Sequence, residues 1–298
     1  MDIAKEIAAR AADIEQRIQT YLPKVEGYQH TIFEAMAYSV TAGGKRLRPM
    51  LMEASYEMFG GTDPKVVEPF MAAIECIHTY SLVHDDLPEM DDDAYRRGKL
   101  TTHKQFGQAM GVLAGDALLN YAFEIVAKAL VAQAGDAKAA KAFEVLARKA
   151  GVYGMIGGQV VDVESEKKNE TVERERLDFT YRLKTGALLE ASLMAGAILA
   201  GADDAQVKKM EEAGTKLGLA FQIQDDILDV TSTVEVLGKP IGSDEKNQKA
   251  TYVSFEGIDK AKQDVALFSE EAVAILEECS GEHAFLRELF LYLIHREK

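Results

Sequence analysis

The stretch Leu217-Gly218-Leu219-Ala220-Phe221-Gln222-Ile223-Gln224-Asp225-Asp226-Ile227-Leu228-Asp229 sets three carboxylates on an otherwise apolar segment. Its apolar residues recur at three and four positions, which predicts a helix over 204–230. Asp225 and Asp229, four apart, share a face of that helix, and Asp226 lies three before Asp229. Ala213 to Ile223 is apolar nearly all round, as is Gly186 to Ala202, and helices of that kind are buried between other helices. The stretch therefore points to an all-α protein with a carboxylate trio that packing alone leaves without a cheap explanation.

The rest of the chain reads the same way. Helical spacing recurs near 2–20, 29–41, 64–87, 111–133, 137–163, 173–200, 258–279 and 283–296, too many segments for a four-helix bundle. Prolines number only 6. Breaks fall at Gly60-Gly61-Thr62-Asp63-Pro64, Ala134-Gly135-Asp136 and Gly201-Ala202-Asp203-Asp204, each joining a helix-ending Gly to a capping Asp or Thr. No long linker intervenes, so residues 1–298 are expected to form one helical domain, and an oligomer. A chain of 298 residues with 47% hydrophobic content can bury a sizeable core. Thr231 to Ala250 has no clear period and is expected to be a mobile loop.

Composition excludes several classes. The formal charge of −15 disfavours a nucleic-acid binder with a basic face. Cys76 and Cys279, the only cysteines, rule out a disulfide framework. No uninterrupted apolar run reaches the roughly 20 residues of a membrane span, and the charged start lacks a signal-peptide core. A cytoplasmic protein without a membrane span is expected.

A second acidic cluster, His84-Asp85-Asp86-Leu87-Pro88-Glu89-Met90-Asp91-Asp92-Asp93, ends the apolar segment 64–87. Like charges about 4 Å apart repel by about 4 kcal/mol at an effective dielectric of 20, so this crowding asks for a cation. Taken alone it also fits a solvated acidic turn. Carboxylates without His or Cys select hard ions, which favours Mg²⁺ and disfavours zinc. Gly43-Gly44-Lys45-Arg46-Leu47-Arg48-Pro49, Arg96-Arg97, Lys184-Thr185-Gly186 and Gly238-Lys239-Pro240 supply cations beside Gly or Thr. Each of the first three alone could sit at a helix C-terminus, where cations offset the dipole. Together they would grip phosphate oxygens. His78, on an apolar segment, reads more readily as a core histidine than as a ligand.

These motifs, in this order, resemble the trans-type isoprenyl diphosphate synthases, most closely the bacterial members that make farnesyl diphosphate. The likeness runs over almost the whole chain, with Asp85 and Asp225 140 positions apart. It implies an all-α bundle of the isoprenoid synthase type, usually a homodimer, with a central active-site cavity. Asp85, Asp86 and Asp91 match the first aspartate-rich motif, with Leu87 and Pro88 as a two-residue insertion. Asp225, Asp226 and Asp229 match the second. By the same resemblance these residues bind three Mg²⁺ ions, Mn²⁺ being a possible substitute. Arg96, Lys184, Thr185, Gln222 and Lys239 match positions lining the allylic diphosphate. Lys45, Arg48, His78 and Arg97 match those holding isopentenyl diphosphate. Gln159 and Asp162 match a supporting element.

The implied reaction condenses isopentenyl diphosphate with dimethylallyl and then geranyl diphosphate, giving farnesyl diphosphate (C15) and pyrophosphate. Ionising the allylic C–O bond leaves a pyrophosphate anion and a carbocation, so cations are needed where negative charge accumulates. Lys184, Thr185 and Gln222 are the expected catalytic residues. Water must be kept out, and the loop 231–250 and the tail His295-Arg296-Glu297-Lys298 are expected lids. Tyr80 lies five residues before Asp85, about 7–8 Å deeper along a helix. Its ring would floor the cavity where Ser81 would not, setting product length. The rival readings are a geranylgeranyl diphosphate synthase, a terpene cyclase of the same class, and a non-catalytic partner subunit. Cyclases usually carry an N-D-x-x-S-x-x-x-E type second site, and partner subunits tend to lose an aspartate motif.

Overall fold

The computed structural model describes residues 2–132, 135–167, 173–231 and 250–294. Lys239, nearly all of the 231–250 loop and the tail 295–298 lie outside them. The structure is 78% helical. By its internal contacts the chain divides into two compact units, Met1–Glu53 with Thr62–Phe143, and Ala54–Gly61 with Glu144–Lys298.

In the first unit, α1 (Ile3–Gln19), α2 (His30–Val40) and the start of α3 (Leu47–Met58) precede α4 (Pro64–Asp85). Asp63 caps α4 by accepting the Lys65 N–H at 3.0 Å, with Pro64 in the first turn, where its missing N–H costs nothing. Phe70, Met71, Ile74 and Ile77 of α4 are buried to within 1%. After α4 come β1 (Tyr95–Arg96), β2 (Lys99–Leu100), α5 (Thr102–Phe106) and α6 (Gln108–Ala132). The two strands pair antiparallel, Tyr95 opposite Leu100. Arg97 (φ 52°) and Gly98 (φ 77°) form the connection, and positive φ at both central residues is what a tight hairpin requires. Helix α6 packs on α4 through small residues. A Cβ on Gly115 would overlap the His84 ring.

The second unit holds the end of α3, α7 (Ala137–Ala150) from Glu144 onward, α8 (Met155–Lys167), α9 (Arg174–Thr180), a π-helical turn (Tyr181–Gly186), α10 (Ala187–Ala200) and α11 (Asp204–Thr231). It ends with α12 (Tyr252–Glu256), α13 (Ile258–Glu277) and α14 (Ala284–Ile294). Every residue of α10 from Ala187 to Leu199 is buried. Gly201 (φ 94°) ends α10, with the Ala202 N–H returning to the Ala197 carbonyl at 3.0 Å. Asp203 then accepts the Gln206 N–H at 2.9 Å to start α11.

Four expectations change. The segment 137–163 is two helices, because the chain turns between Gly151 and Gly154, where a Cβ on Gly154 would strike the Lys149 carbonyl. Helix α3 begins at Leu47, with two residues between it and Gly43-Gly44, so Arg48 stands in a first helical turn and the dipole reading of that cation fails. Arg96 and Arg97 lie on a hairpin, and Lys184 lies within a π turn continuous with α9 and α10, so neither site is a helix end. Finally, although charges interrupt every apolar run, Pro64–Asp85, Gln108–Ala132 and Arg174–Ala200 are long and apolar enough on average to cross a membrane. Enclosure by other helices accounts for that composition in the first and third of these, and not in the second. The share of each apolar window buried inside the protein is 72%, 39% and 78% in that order.

Candidate active site

In the first unit, α4 delivers Asp85 and Asp86 at its C-terminal end. The turn that follows folds back, with the Asp91 N–H donating to the Asp85 carbonyl at 2.9 Å and the Asp92 N–H to the Leu87 carbonyl at 3.0 Å. The insertion at Leu87-Pro88 thus returns Asp91 to the end of the helix beside Asp85. Asp86 is 3% exposed and accepts from Arg96 Nε at 2.7 Å, with a second guanidinium nitrogen at 2.6 Å. Burial raises its pKa against the lowering effect of that arginine.

The GGKRLRP segment divides its cations by role. Arg46 (φ 50°) is 3% exposed and spends its guanidinium on Glu75 at 2.5 Å and the Val40 carbonyl at 2.6 Å. It is a structural pin. Lys45 is exposed. Arg48 has a buried Nε with no hydrogen-bond partner, and burial pushes its pKa down to about 10. Arg97 donates to the Gly43 carbonyl and lies against Gly44 (φ 135°), where a Cβ would stand 2.5 Å from its guanidinium. Its pKa is also lowered, by burial first and then by Arg46 and Arg96. His78 faces this group; burial, then the charges of Arg48, Arg97, Arg96 and Arg46, hold it neutral, its pKa well below the usual value. Arg46, Asp92 and Arg97 are the non-glycine residues with positive φ among the described residues. Such backbone costs about 1–3 kcal/mol and collects at functional sites.

Deeper on α4, Tyr80 is 5% exposed, stacks edge-on to His84 at 5.8 Å, and buries a hydroxyl with no partner. Burial, then the charge of Asp85, pushes its pKa up to about 12. Ser81 turns its hydroxyl back to the His78 carbonyl at 2.9 Å.

In the second unit, the π turn carries Tyr181, Lys184 and Thr185, and π turns recur where helices are bent to functional use. Lys184 Nζ reaches Asp162 on α8 at 2.5 Å. Thr185 donates to Gln222 on α11 at 2.8 Å. Tyr181 donates to Asp226 at 2.5 Å. Close approach of these backbones depends on glycines: a Cβ on Gly158 would stand 2.8 Å from Lys184 Cα, and one on Gly218 2.7 Å from Gly186 Cα. Asp226 and Asp229 are 3% and 6% exposed.

Among the described residues no three His, Cys, Asp or Glu side chains already converge as a metal cluster. The carboxylates offer oxygen donors only, as Mg²⁺ requires. An ion that keeps waters and substrate phosphates in its shell suits motifs that each supply an incomplete set.

Sequence reading passed over Tyr181, which lies three residues before Lys184. Its one signal was a phenol beside a cation in an otherwise apolar segment.

Fold and motifs together define a class, the all-α isoprenoid synthase fold. A family model described as Polyprenyl synthetase matches residues 29–285, and the chain belongs to that family. It is 44% identical over 273 residues to a farnesyl diphosphate synthase of Geobacillus stearothermophilus, covering 92% of this chain and 91% of that one. It is 45% identical over 259 residues to a geranylgeranyl diphosphate synthase of Cyanophora paradoxa, covering 87% and 85%. The structure of an FPP/GFPP synthase from Zymomonas mobilis matches it with a TM-score of 0.86 at 34% identity, over 98% of this chain and 99% of that one.

Proposed function

We propose that this protein is a Mg²⁺-dependent prenyltransferase that condenses isopentenyl diphosphate with dimethylallyl and geranyl diphosphate to give farnesyl diphosphate and pyrophosphate. One observation carries the reading. Arg48 and Arg97 are guanidinium groups whose pKa burial lowers, and Arg48 has a buried Nε with no hydrogen-bond partner, so an opposite charge is lacking at that nitrogen. A diphosphate supplies that missing charge, and His78, neutral beside them, can donate or accept a hydrogen bond without adding repulsion.

Asp85, Asp86 and Asp91, with Asp225, Asp226 and Asp229, would hold Mg²⁺, which neutralises the diphosphate as negative charge grows on the leaving oxygen. Arg96, Lys184 and Lys239 bind the allylic diphosphate, while Lys45, Arg48, His78 and Arg97 bind isopentenyl diphosphate. The Thr185 hydroxyl, held by Gln222, directs its oxygen dipole towards the developing allylic cation. The double bond of isopentenyl diphosphate is the nucleophile: as the allylic C–O bond breaks and the new C–C bond forms, the adduct cation loses a proton to the departing pyrophosphate, so no side chain needs to attack. Tyr80 closes the hydrocarbon end of the site, which favours C15. The C20 alternative is kept by the geranylgeranyl relative at 45% identity.

The whole chain acts as a single polyprenyl synthase domain. Helix α6 supports a homodimer: its apolar window is only 39% buried, leaving Leu113 and Val131 52% and 80% exposed. Two buried free cysteines accord with a reducing cytoplasm.

The test is incubation of the protein with dimethylallyl diphosphate, isopentenyl diphosphate and Mg²⁺, followed by chromatography of the dephosphorylated products. Farnesol is expected. Failure to consume isopentenyl diphosphate refutes the reading, and geranylgeraniol as the main product moves it to the C20 alternative.

A further inference from the structure

Along the contact between α11 and the helical stretch Arg174–Ala200, polar pairs repeat. Thr215 donates to Glu190 at 2.6 Å, Thr185 to Gln222 at 2.8 Å, and Tyr181 to Asp226 at 2.5 Å. Residue numbers fall along one helix as they rise along the other, so the two run antiparallel with the pairs as rungs. The first rung is further fixed by Lys149, which pairs with Glu190 and reaches Glu211 at 2.6 Å.

The last rung is the one that the proposed chemistry leaves unexplained. Tyr181 is 7% exposed and Asp226 3%. Packing alone requires neither a phenol hydroxyl nor a carboxylate there. Asp226 Oδ2 accepts twice, from the Tyr181 hydroxyl and from the Tyr252 backbone N–H at 2.7 Å, and that N–H is also 3.3 Å from the Tyr181 oxygen. The second donor is itself anchored. Tyr252 donates its hydroxyl to Asp264 at 2.8 Å, and its ring lies 4.1 Å from the Arg174 guanidinium. Two fixed donors on one oxygen set the plane of the carboxylate.

We propose that Tyr181 is a positioning residue for the second acidic motif: its hydroxyl holds Asp226 in the orientation that receives Mg²⁺ when a diphosphate binds. This rests on the reading of Asp226 as a metal ligand given above. Partners that orient a ligand from behind are typically worth about 10- to 100-fold in metal affinity.

The test uses the full chain carrying Tyr181→Phe, which keeps the ring and removes the hydroxyl. Mg²⁺ is titrated calorimetrically into protein holding inorganic pyrophosphate, and the Mg²⁺ midpoint for isopentenyl diphosphate consumption is measured in parallel. Both constants are expected to weaken about 10- to 100-fold, with turnover recovering at saturating Mg²⁺. In an Asp226→Asn background the same substitution is expected to add nothing, because the tyrosine acts through that carboxylate. Wild-type Mg²⁺ constants together with a lowered melting temperature would reduce Tyr181 to a structural bond and overturn the proposal. A wild-type protein that takes up no Mg²⁺ with pyrophosphate would instead overturn the functional reading beneath it. Should the phenylalanine variant fail to fold, Tyr181→Met, flexible and of similar bulk, carries the same test.

Discussion

Replacing Gly158 by alanine should damage the enzyme far more than its modest size implies. A Cβ at this position would stand 2.8 Å from Lys184 Cα and 2.9 Å from the Leu183 carbonyl carbon, with Lys184 N closer still. Ordinary contacts of a carbon lie at about 3.5–4.0 Å and Lys184 N would be only 2.2 Å away, so α8 and the π turn must part by about 1 Å or more. All three obstructing atoms are backbone and cannot swing aside. Overpacking of this kind costs about 1–3 kcal/mol, and the better helix propensity of alanine returns about 1 kcal/mol, leaving a net loss of up to about 2 kcal/mol. The effect on turnover is larger, because the displacement falls on Lys184, whose Nζ spans the same contact to Asp162 at 2.5 Å. A shift of about 1 Å at a positioned group can lower the rate about 100-fold. Steady-state kcat/KM with dimethylallyl and isopentenyl diphosphates, measured beside the melting temperature, checks both halves. Gly186→Ala is the internal comparison. Gly186 has helical φ (−66°) and a Cβ there meets nothing nearer than the Tyr181 carbonyl at 3.6 Å, so that variant should gain about 0.5–1 kcal/mol. Wild-type activity in Gly158→Ala, or equal damage from both glycines, would refute the close-contact argument.

Asp85→Ala and Asp225→Ala are each expected to abolish turnover while leaving the far-ultraviolet CD spectrum unchanged; retained activity would remove these residues from the metal site. Tyr80→Ala should open the hydrocarbon end and lengthen the product to C20 or beyond, and an unchanged C15 profile would return Tyr80 to ordinary core packing. His78 gives a pH prediction. Its folded pKa lies well below the ordinary 6.5, so on acidification the unfolded chain takes the proton first. Stability should therefore fall as pH drops below 6.5 towards the folded pKa, by up to about 1.4 kcal/mol per pH unit. Chemical denaturation across that range should show a shallower acid limb in His78→Gln, and an unaltered slope would contradict the assignment.

The helices were legible because their apolar periods are long, and the acidic motifs because buried carboxylates are hard to explain otherwise. What escaped was information that only tertiary contact supplies. The alanine-rich α7 and the valine-bearing α8 keep one period across Gly151–Gly154, and the reversal there becomes apparent only from the Lys149 carbonyl that a Gly154 side chain would strike. The π turn at Tyr181–Gly186 left no mark either, since widening a helix by one residue changes which neighbours a side chain meets and leaves composition alone. Lys45, Arg46 and Arg48 are chemically alike on paper. Glu75, 29 residues further on, and the Val40 carbonyl take up the terminal nitrogens of Arg46, and that pairing is what sets it apart from Arg48.

The same distinction bears on the charge of −15, which at first seems unfavourable to a polyanionic substrate. Net charge averages over the surface, whereas a diphosphate senses the potential where it binds. In the first unit Arg46 is neutralised by Glu75 and Glu15, and Arg96 by Asp86. Arg48 and Arg97 keep pKa values lowered first by burial, and each also feels a neighbouring arginine, so a buried anion placed beside them would recover charge stabilisation that solvent no longer gives. The acids clustered at 85–93 and 225–229 are where divalent cations would be drawn, and a bound cation reverses the local sign. An acidic protein can thus present positive ground to a polyanion twice over, once through buried arginines such as Arg48 that its own carboxylates do not pair and once through carboxylates that recruit metal.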